Sequence, residues 1–171
     1  MEAATGLVIL GIDPGLTRTG WGVVEAVDTE FRWLGCGAIP TRPAQPTEER
    51  LHHIYRELCG LIESWRPLEL AVEDPFVAQN ARSAFAIGEA RAIALLAAAQ
   101  AGLPVRAYPP AEVKLAVAGY GRSDKTQVAE MVRVQLSLAK APEPSDAADA
   151  LAVALCHHLR RRAEARLQQA Q

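Results

Sequence analysis

Leu7-Val8-Ile9-Leu10-Gly11-Ile12-Asp13-Pro14-Gly15 is the stretch that decides the fold. Its short run of branched apolar residues predicts a buried strand. Asp13-Pro14-Gly15 is a turn signal that ends it and leaves a carboxylate at the strand's end. Further strands are expected over about residues 20–27 and 31–39, joined by short turns into an antiparallel meander. Then the period changes. Leu51, Ile54, Tyr55, Leu58, Leu61, Ile62 and Trp65 make one apolar face of a helix over about 47–65. Thr47 is its expected N-cap, with Arg50 standing where a capping box would place an acid.

A fourth strand, about 68–73, carries Glu73 at its end. The helix expected over 81–101 is apolar on nearly every side after Arg91, so it is either central or half covered by a partner. Gly102 closes it. A short strand at 105–108 precedes helices over about 110–118, 124–138 and from Ser145 to at least Arg162. Arg160, Arg161 and Arg162 read as the end of that last helix, complementing its dipole in solvent. His157 and His158 show no partner in the sequence. Three strands followed by alternating helix and strand give an α/β fold, a mixed sheet with helices on its faces.

The 171 residues are about one domain, 1–171, with loose termini expected at 1–6 and about 163–171. A composition of 50% hydrophobic and 22% charged residues excludes a disordered or collagenous chain. The net charge of −2 argues against a nucleic-acid binder, but the total hides an asymmetry. Residues 1–75 hold 6 basic and 12 acidic groups, whereas residues 76–135 hold 7 basic and 4 acidic. Cys36, Cys59 and Cys156 have neither metal-ligand nor redox spacing. No secretory signal opens the chain, and its longest uncharged apolar stretch, 92–105, is too short to span a bilayer. A reduced, cytoplasmic, membrane-free protein is the expectation.

Four carboxylates stand out. Asp13 and Glu73 each end a strand, and if those strands are parallel neighbours their ends adjoin at the sheet edge where open α/β sheets bind ligands. Asp146 and Asp149 share one helix face. Each has a plainer account: Asp13 as a turn residue, Glu73 as a solvated strand end, Asp146 as an N-cap answered by Asp149. Jointly, four carboxylates within a few ångströms need a cation, because like charges raise one another's pKa. Oxygen-only ligands select Mg²⁺ or Mn²⁺. Two such ions about 4 Å apart would clamp an in-line phosphoryl transfer.

Five segments in order resemble the RuvC family of Holliday-junction resolvases, within the RNase H-like nuclease superfamily. They are Ile9–Gly15, Val72–Asn80, Glu112-Val113-Lys114, Asp124-Lys125-Thr126-Gln127-Val128, and Asp146-Ala147-Ala148-Asp149-Ala150-Leu151-Ala152. The resemblance implies an RNase H-like fold, with a five-stranded sheet of three antiparallel and two parallel strands flanked by helices. It implies Asp13, Glu73, Asp146 and Asp149 as catalytic metal ligands for two Mg²⁺ or Mn²⁺ ions. It implies a homodimer that resolves a four-way DNA junction in recombination and repair by paired symmetric nicks, leaving 5′-phosphate and 3′-hydroxyl ends, with the RuvAB branch-migration complex as partner. Asp74-Pro75 departs from the uncharged residues that many members carry there.

The resemblance makes Phe76 a wedge or stacking contact at the junction centre, against the plainer account of a core phenylalanine. It brings Lys114 and Lys125 to the scissile phosphate or its neighbour. Lys125 is anomalous as a mere surface residue, since it falls in the first turn of a helix, where the dipole disfavours a cation. Arg82 and Arg122 are weaker candidates for DNA-backbone contact, as is Arg91. The helix around 87–96 fits a two-fold interface. Two alternatives are a junction-binding protein without catalysis, which the four acids oppose, and an actin-like or sugar-kinase ATPase fragment. The latter shares a first phosphate loop like Gly11–Gly15, but this chain shows no second loop or adenosine motif.

Overall fold

The sheet is built outward from β1 (Leu7–Asp13), whose neighbours differ in direction. On one side β2 (Arg18–Val27) pairs with it antiparallel, and β3 (Glu30–Pro40) pairs antiparallel with β2. On the other side β4 (Glu69–Glu73) runs parallel to β1, and β5 (Val105–Tyr108) parallel to β4. The order β3-β2-β1-β4-β5 is the mixed five-stranded sheet expected from the sequence. These relations come from a computed structural model that describes residues 6–74 and 80–169. Phe76, Pro75 and residues 1–5 lie outside that range.

Strand alternation sorts the core into two layers. Leu10, Ile12, Val23, Leu70 and Val72 face α1 (Thr47–Trp65) and α2 (Ala81–Gln100). Ile9, Val24 and Ala71 face α3 (Pro110–Ala118), α4 (Lys125–Gln135) and α5 (Ser145–Gln169). Fully burying a side chain such as Leu10 or Ile9 contributes about 1.5–3 kcal/mol. The second layer holds the site, because Asp13 and Glu73 alternate in step with Ile9 and Ala71. Helix α5 lies unusually close to the sheet there. A Cβ added to Gly11 would collide with the carbonyl oxygen of Ala150, and one added to Gly20 with that of Asp146. The bare backbone at these positions lets the acidic first turns of α5 settle beside the end of β1.

Several element ends differ from expectation for local reasons. Thr47 is the first helical residue of α1, not its cap; Pro46 precedes it and no side chain caps the helix. Arg50 points inward instead. Asp124 caps α4 through a reciprocal box with Gln127. That helix stops at Gln135, and Ser137 takes a left-handed φ of 52° soon after.

Helix α5 continues to Gln169, so residues 163–169, expected as a loose terminus, are helical. Arg160, Arg161 and Arg162 therefore sit within the helix rather than at its end. Arg160 pairs with Glu112 and Arg161 with Glu69, while Glu164 pairs with Arg106. These links to α3, β4 and β5 explain why the helix runs on. His157 and His158, unassigned from sequence, are buried. Helix α2 is half covered: Ala90, Ala94, Ala97 and Ala98 pack inward while Phe85 and Leu96 are exposed.

Candidate active site

Parallel register places the first two acids. Ile12 pairs with Val72, so Asp13 and Glu73 leave neighbouring strands side by side. The second turn of α5 brings Asp149 over them. Together with Pro110, Val113, Lys114, Lys125, Val128 and Ala152 the three acids line a cleft of about 180 Å³. One wall is apolar, which limits solvation of the carboxylates.

The electrostatics follow from that wall. Burial is the largest cause that pushes the Asp13 carboxyl up to about 8, with the charges of Glu73, Asp149 and Asp146 adding to it and Lys125 opposing it. Glu73 is also raised, first by burial and then by the charge of Asp149, while the charges of Lys125 and Lys114 act the other way. At neutral pH the Asp13–Glu73 pair therefore retains a proton. The cluster carries more negative charge than its surroundings stabilise.

Cations answer part of that deficit. Lys125 Nζ donates to Asp149 Oδ2 at 2.9 Å, and this bond is the main cause that raises the lysine's pKa. Lys125 is the first residue of α4, so the helix end that disfavours it is offset by three carboxylates across the cleft. Lys114 lines the same cleft from α3.

Asp146 stands apart. It lies in the first turn of α5, within the helix rather than capping it, and faces Arg18, whose Nη1 donates to its Oδ2 at 3.4 Å. It lines a neighbouring groove, and its charge is the smallest of those acting on Asp13. In this conformation no three His, Cys, Asp or Glu side chains among the described residues converge closely enough to hold an ion. The donor chemistry nonetheless fits a hard divalent cation. All candidates are carboxylate oxygens, and the proton held at Asp13 marks the place where positive charge is wanting.

The remaining sequence candidates distribute as follows. Asp74 turns from the cleft to an ion pair with Arg91, 3.2 Å from Nε to Oδ1, so its extra charge is taken up. Arg82 lines the groove that holds Asp146. Arg122 is exposed on the loop between α3 and α4. Arg18 and Arg50, which belong to no sequence motif, line that same groove. The available signal was Arg50 itself, a cation in the first turn of a helix.

A family profile described as crossover junction endodeoxyribonuclease RuvC matches residues 9–157. A crossover junction endodeoxyribonuclease RuvC of Pelotomaculum thermopropionicum is 50% identical over 151 residues, covering 88% of this chain and 92% of the relative. One from Chloroflexus aurantiacus is 51% identical over 148 residues, covering 86% and 90%. The solved structure of T. thermophilus RuvC in complex with Holliday junction substrate superposes with a TM-score of 0.88 at 42% identity, covering 92% of this chain and 96% of that one. With the mixed sheet and the strand-end acids, these matches cover every element from β1 into α5, and the chain belongs to the RuvC family of crossover junction endodeoxyribonucleases.

Proposed function

We propose that this chain resolves Holliday junctions in recombination and repair, as a metal-dependent endonuclease that cuts two strands at symmetric positions. The observation that carries the proposal is the three-carboxylate cleft of Asp13, Glu73 and Asp149 with Lys114 and Lys125 on its wall. The charge state of Asp13 adds to it, since a carboxyl held up to about 8 is poised to exchange its proton for a cation.

Asp13, Glu73 and Asp149 would hold Mg²⁺ or Mn²⁺, with Asp146 completing the set for a second ion by turning from Arg18. Bound there, divalent ions supply Lewis acidity, activating an attacking water and offsetting charge on the leaving 3′ oxygen. The chain's own residues do the positioning. Lys125, now held by Asp149, and Lys114 offer ammonium groups to the scissile phosphate from two helices on one side of the cleft. The apolar wall of Val113, Val128 and Ala152 keeps bulk water from the carboxylates, which strengthens their grip on charge. Hydrolysis gives 5′-phosphate and 3′-hydroxyl ends. Phe76 is the proposed contact at the junction centre.

Paired cuts need two sites. Phe85 is 73% exposed and Leu96 55% exposed on α2, and a second copy of the chain covering that helix gives the homodimer. The functional unit is one domain, 1–171, acting in the cytoplasm with RuvAB as partner. Among the described residues no helix is long and apolar enough to cross a membrane.

Incubation of the protein with a synthetic four-way junction and Mg²⁺ or Mn²⁺, read on sequencing gels, tests the reading. Paired symmetric nicks with ligatable ends are expected, and linear duplex should stay intact. Equal cutting of duplex, or cutting in chelator, would contradict it.

A further inference from the structure

Beside the acid cleft, on the far side of Asp146, lies a second and wider groove of about 820 Å³. Its wall includes Thr17 and Arg18 from the turn into β2, Arg50 from α1, and Arg82 and Ser83 from the start of α2. Arg50 is the unusual member. The residue is only 9% exposed, yet no carboxylate among the described residues forms an ion pair with it. Its partners are neutral: Nε donates to Thr41 Oγ1 at 2.9 Å and Nη2 to Thr17 Oγ1 at 3.4 Å. Thr41 in turn donates to the Leu16 carbonyl oxygen, so the hydroxyl is fixed as an acceptor.

A guanidinium so far from water is costly without a counter-charge. Its position makes the cost larger, because the first turn of α1 is the positive end of that helix. Glu48 and Glu49 precede it in sequence but form no ion pair with it. Two acids do reach the groove: Asp146, already paired with Arg18 at 3.4 Å, and Glu89 on α2. Neither pairs with Arg50.

We propose that Arg50, framed by Thr17 and Thr41, is an anchor for a DNA backbone phosphate away from the cutting position, with Arg18 and Arg82 lining its approach. The inference rests on the junction-cleaving reading above and adds a positioning site to it. Asp146 lines the groove and its charge reaches Asp13, so a strand seated on Arg50 would pass on toward the acid cleft. Such an anchor sets the register of the strand. A guanidinium suits it better than an ammonium because it offers several donors in a fixed plane.

The test is junction affinity measured against salt concentration in an Asp13→Asn background, where binding is read without cleavage. Each phosphate contact contributes about 0.9 to the slope of log affinity against log salt. Arg50→Met should lower that slope by about 0.9 and weaken binding about tenfold at moderate salt. Its melting temperature without DNA should hold or rise, because an unpaired buried cation has gone. Arg82→Gln, at an exposed position that cannot disturb folding, should lower the slope as well. Arg50→Lys should restore the slope only in part.

An unchanged slope in Arg50→Met overturns the proposal, whatever its melting temperature. If that variant does not fold, an unchanged slope in both Arg50→Lys and Arg82→Gln overturns it. A parent chain that fails to bind the junction at all overturns the functional reading, and this one with it.

Discussion

β4 is five residues long and carries a glutamate at each end, Glu69 and Glu73, both on the α5 side of the sheet. The strand spans about 13 Å between them. Helix α5 supplies a residue to each end: His157 to Glu69, and Asp149, about 12 Å back along the helix, to Glu73. At the Glu69 end the groups satisfy one another. His157 Nε2 lies 2.6 Å from Glu69 Oε2 and its Nδ1 lies 2.9 Å from the Tyr108 hydroxyl, while Arg161 reaches Glu69 Oε1 at 3.4 Å. A neutral imidazole fits both contacts, donating to the carboxylate and accepting from the phenol. At the Glu73 end the helix brings a third acid instead of a partner, and the Asp13 carboxyl rises to about 8. At the Glu69 end the charged groups answer one another. The Glu73 end is left short of positive charge, and that shortage suits the divalent cation proposed for it.

The largest effect that could break this contrast is chemical. Asp13→Asn should reduce nicking to background while leaving junction binding intact, as seen by gel shift in Ca²⁺. Glu69→Gln, the matching change at the other end, should leave nicking per folded molecule within about twofold. It should cost about 1–3 kcal/mol in urea unfolding, since it removes the carboxylate that meets Nε2 of the buried His157. Lost nicking in Glu69→Gln would mean the two ends are not separable.

Lys125→Ala should slow nicking by roughly a hundredfold, read in single-turnover time courses. The same change should alter stability by less than about 1 kcal/mol, because Lys125 is largely exposed.

The smallest effect is a difference in sign with pH. Folded, Asp13 keeps its proton up to about 8, whereas unfolded it would lose it near 3.8. The folded chain binds more protons in between, so metal-free stability falls as pH rises through that window. Burial lowers the His157 pKa below its ordinary 6.5, so at that end the unfolded chain binds more protons and stability falls as pH drops below 6.5. Above 6.5 the Asp13 end dominates. Melting temperature without metal should decline from pH 6.5 to about 8, and Mg²⁺ should restore most of the loss. Asp13→Asn should flatten that decline.

The sequence made one end of β4 far more readable than the other. Asp13 and Glu73 could be read because strand ends, turn signals and a parallel crossover leave marks in a linear chain. Helix spacing put Asp146 and Asp149 on one face and the helix dipole marked Lys125, but only the family resemblance gave these residues and Lys114 their roles. The Glu69–His157–Tyr108 chain was invisible because its members lie on three elements, and nothing in a periodic pattern says which buried histidine meets which strand. The extent of α5 was misjudged for the same reason. Its last turns are held by ion pairs to Glu112, Glu69 and Arg106, contacts that exist only once the sheet is formed. The divided placement of Asp146 also escaped the sequence. Spacing three residues from Asp149 puts it on the same helix face but cannot say that Arg18 claims it.

The central claim is that the Asp13–Glu73–Asp149 end of the sheet exchanges a held proton for a divalent cation. Calorimetric titration with Mn²⁺ near neutral pH, repeated in two buffers of different ionisation enthalpy, measures that exchange directly. The account predicts that binding releases close to one proton per chain, and that Asp13→Asn binds Mn²⁺ far more weakly and releases much less. Equal Mn²⁺ binding by both proteins with no proton released would contradict it.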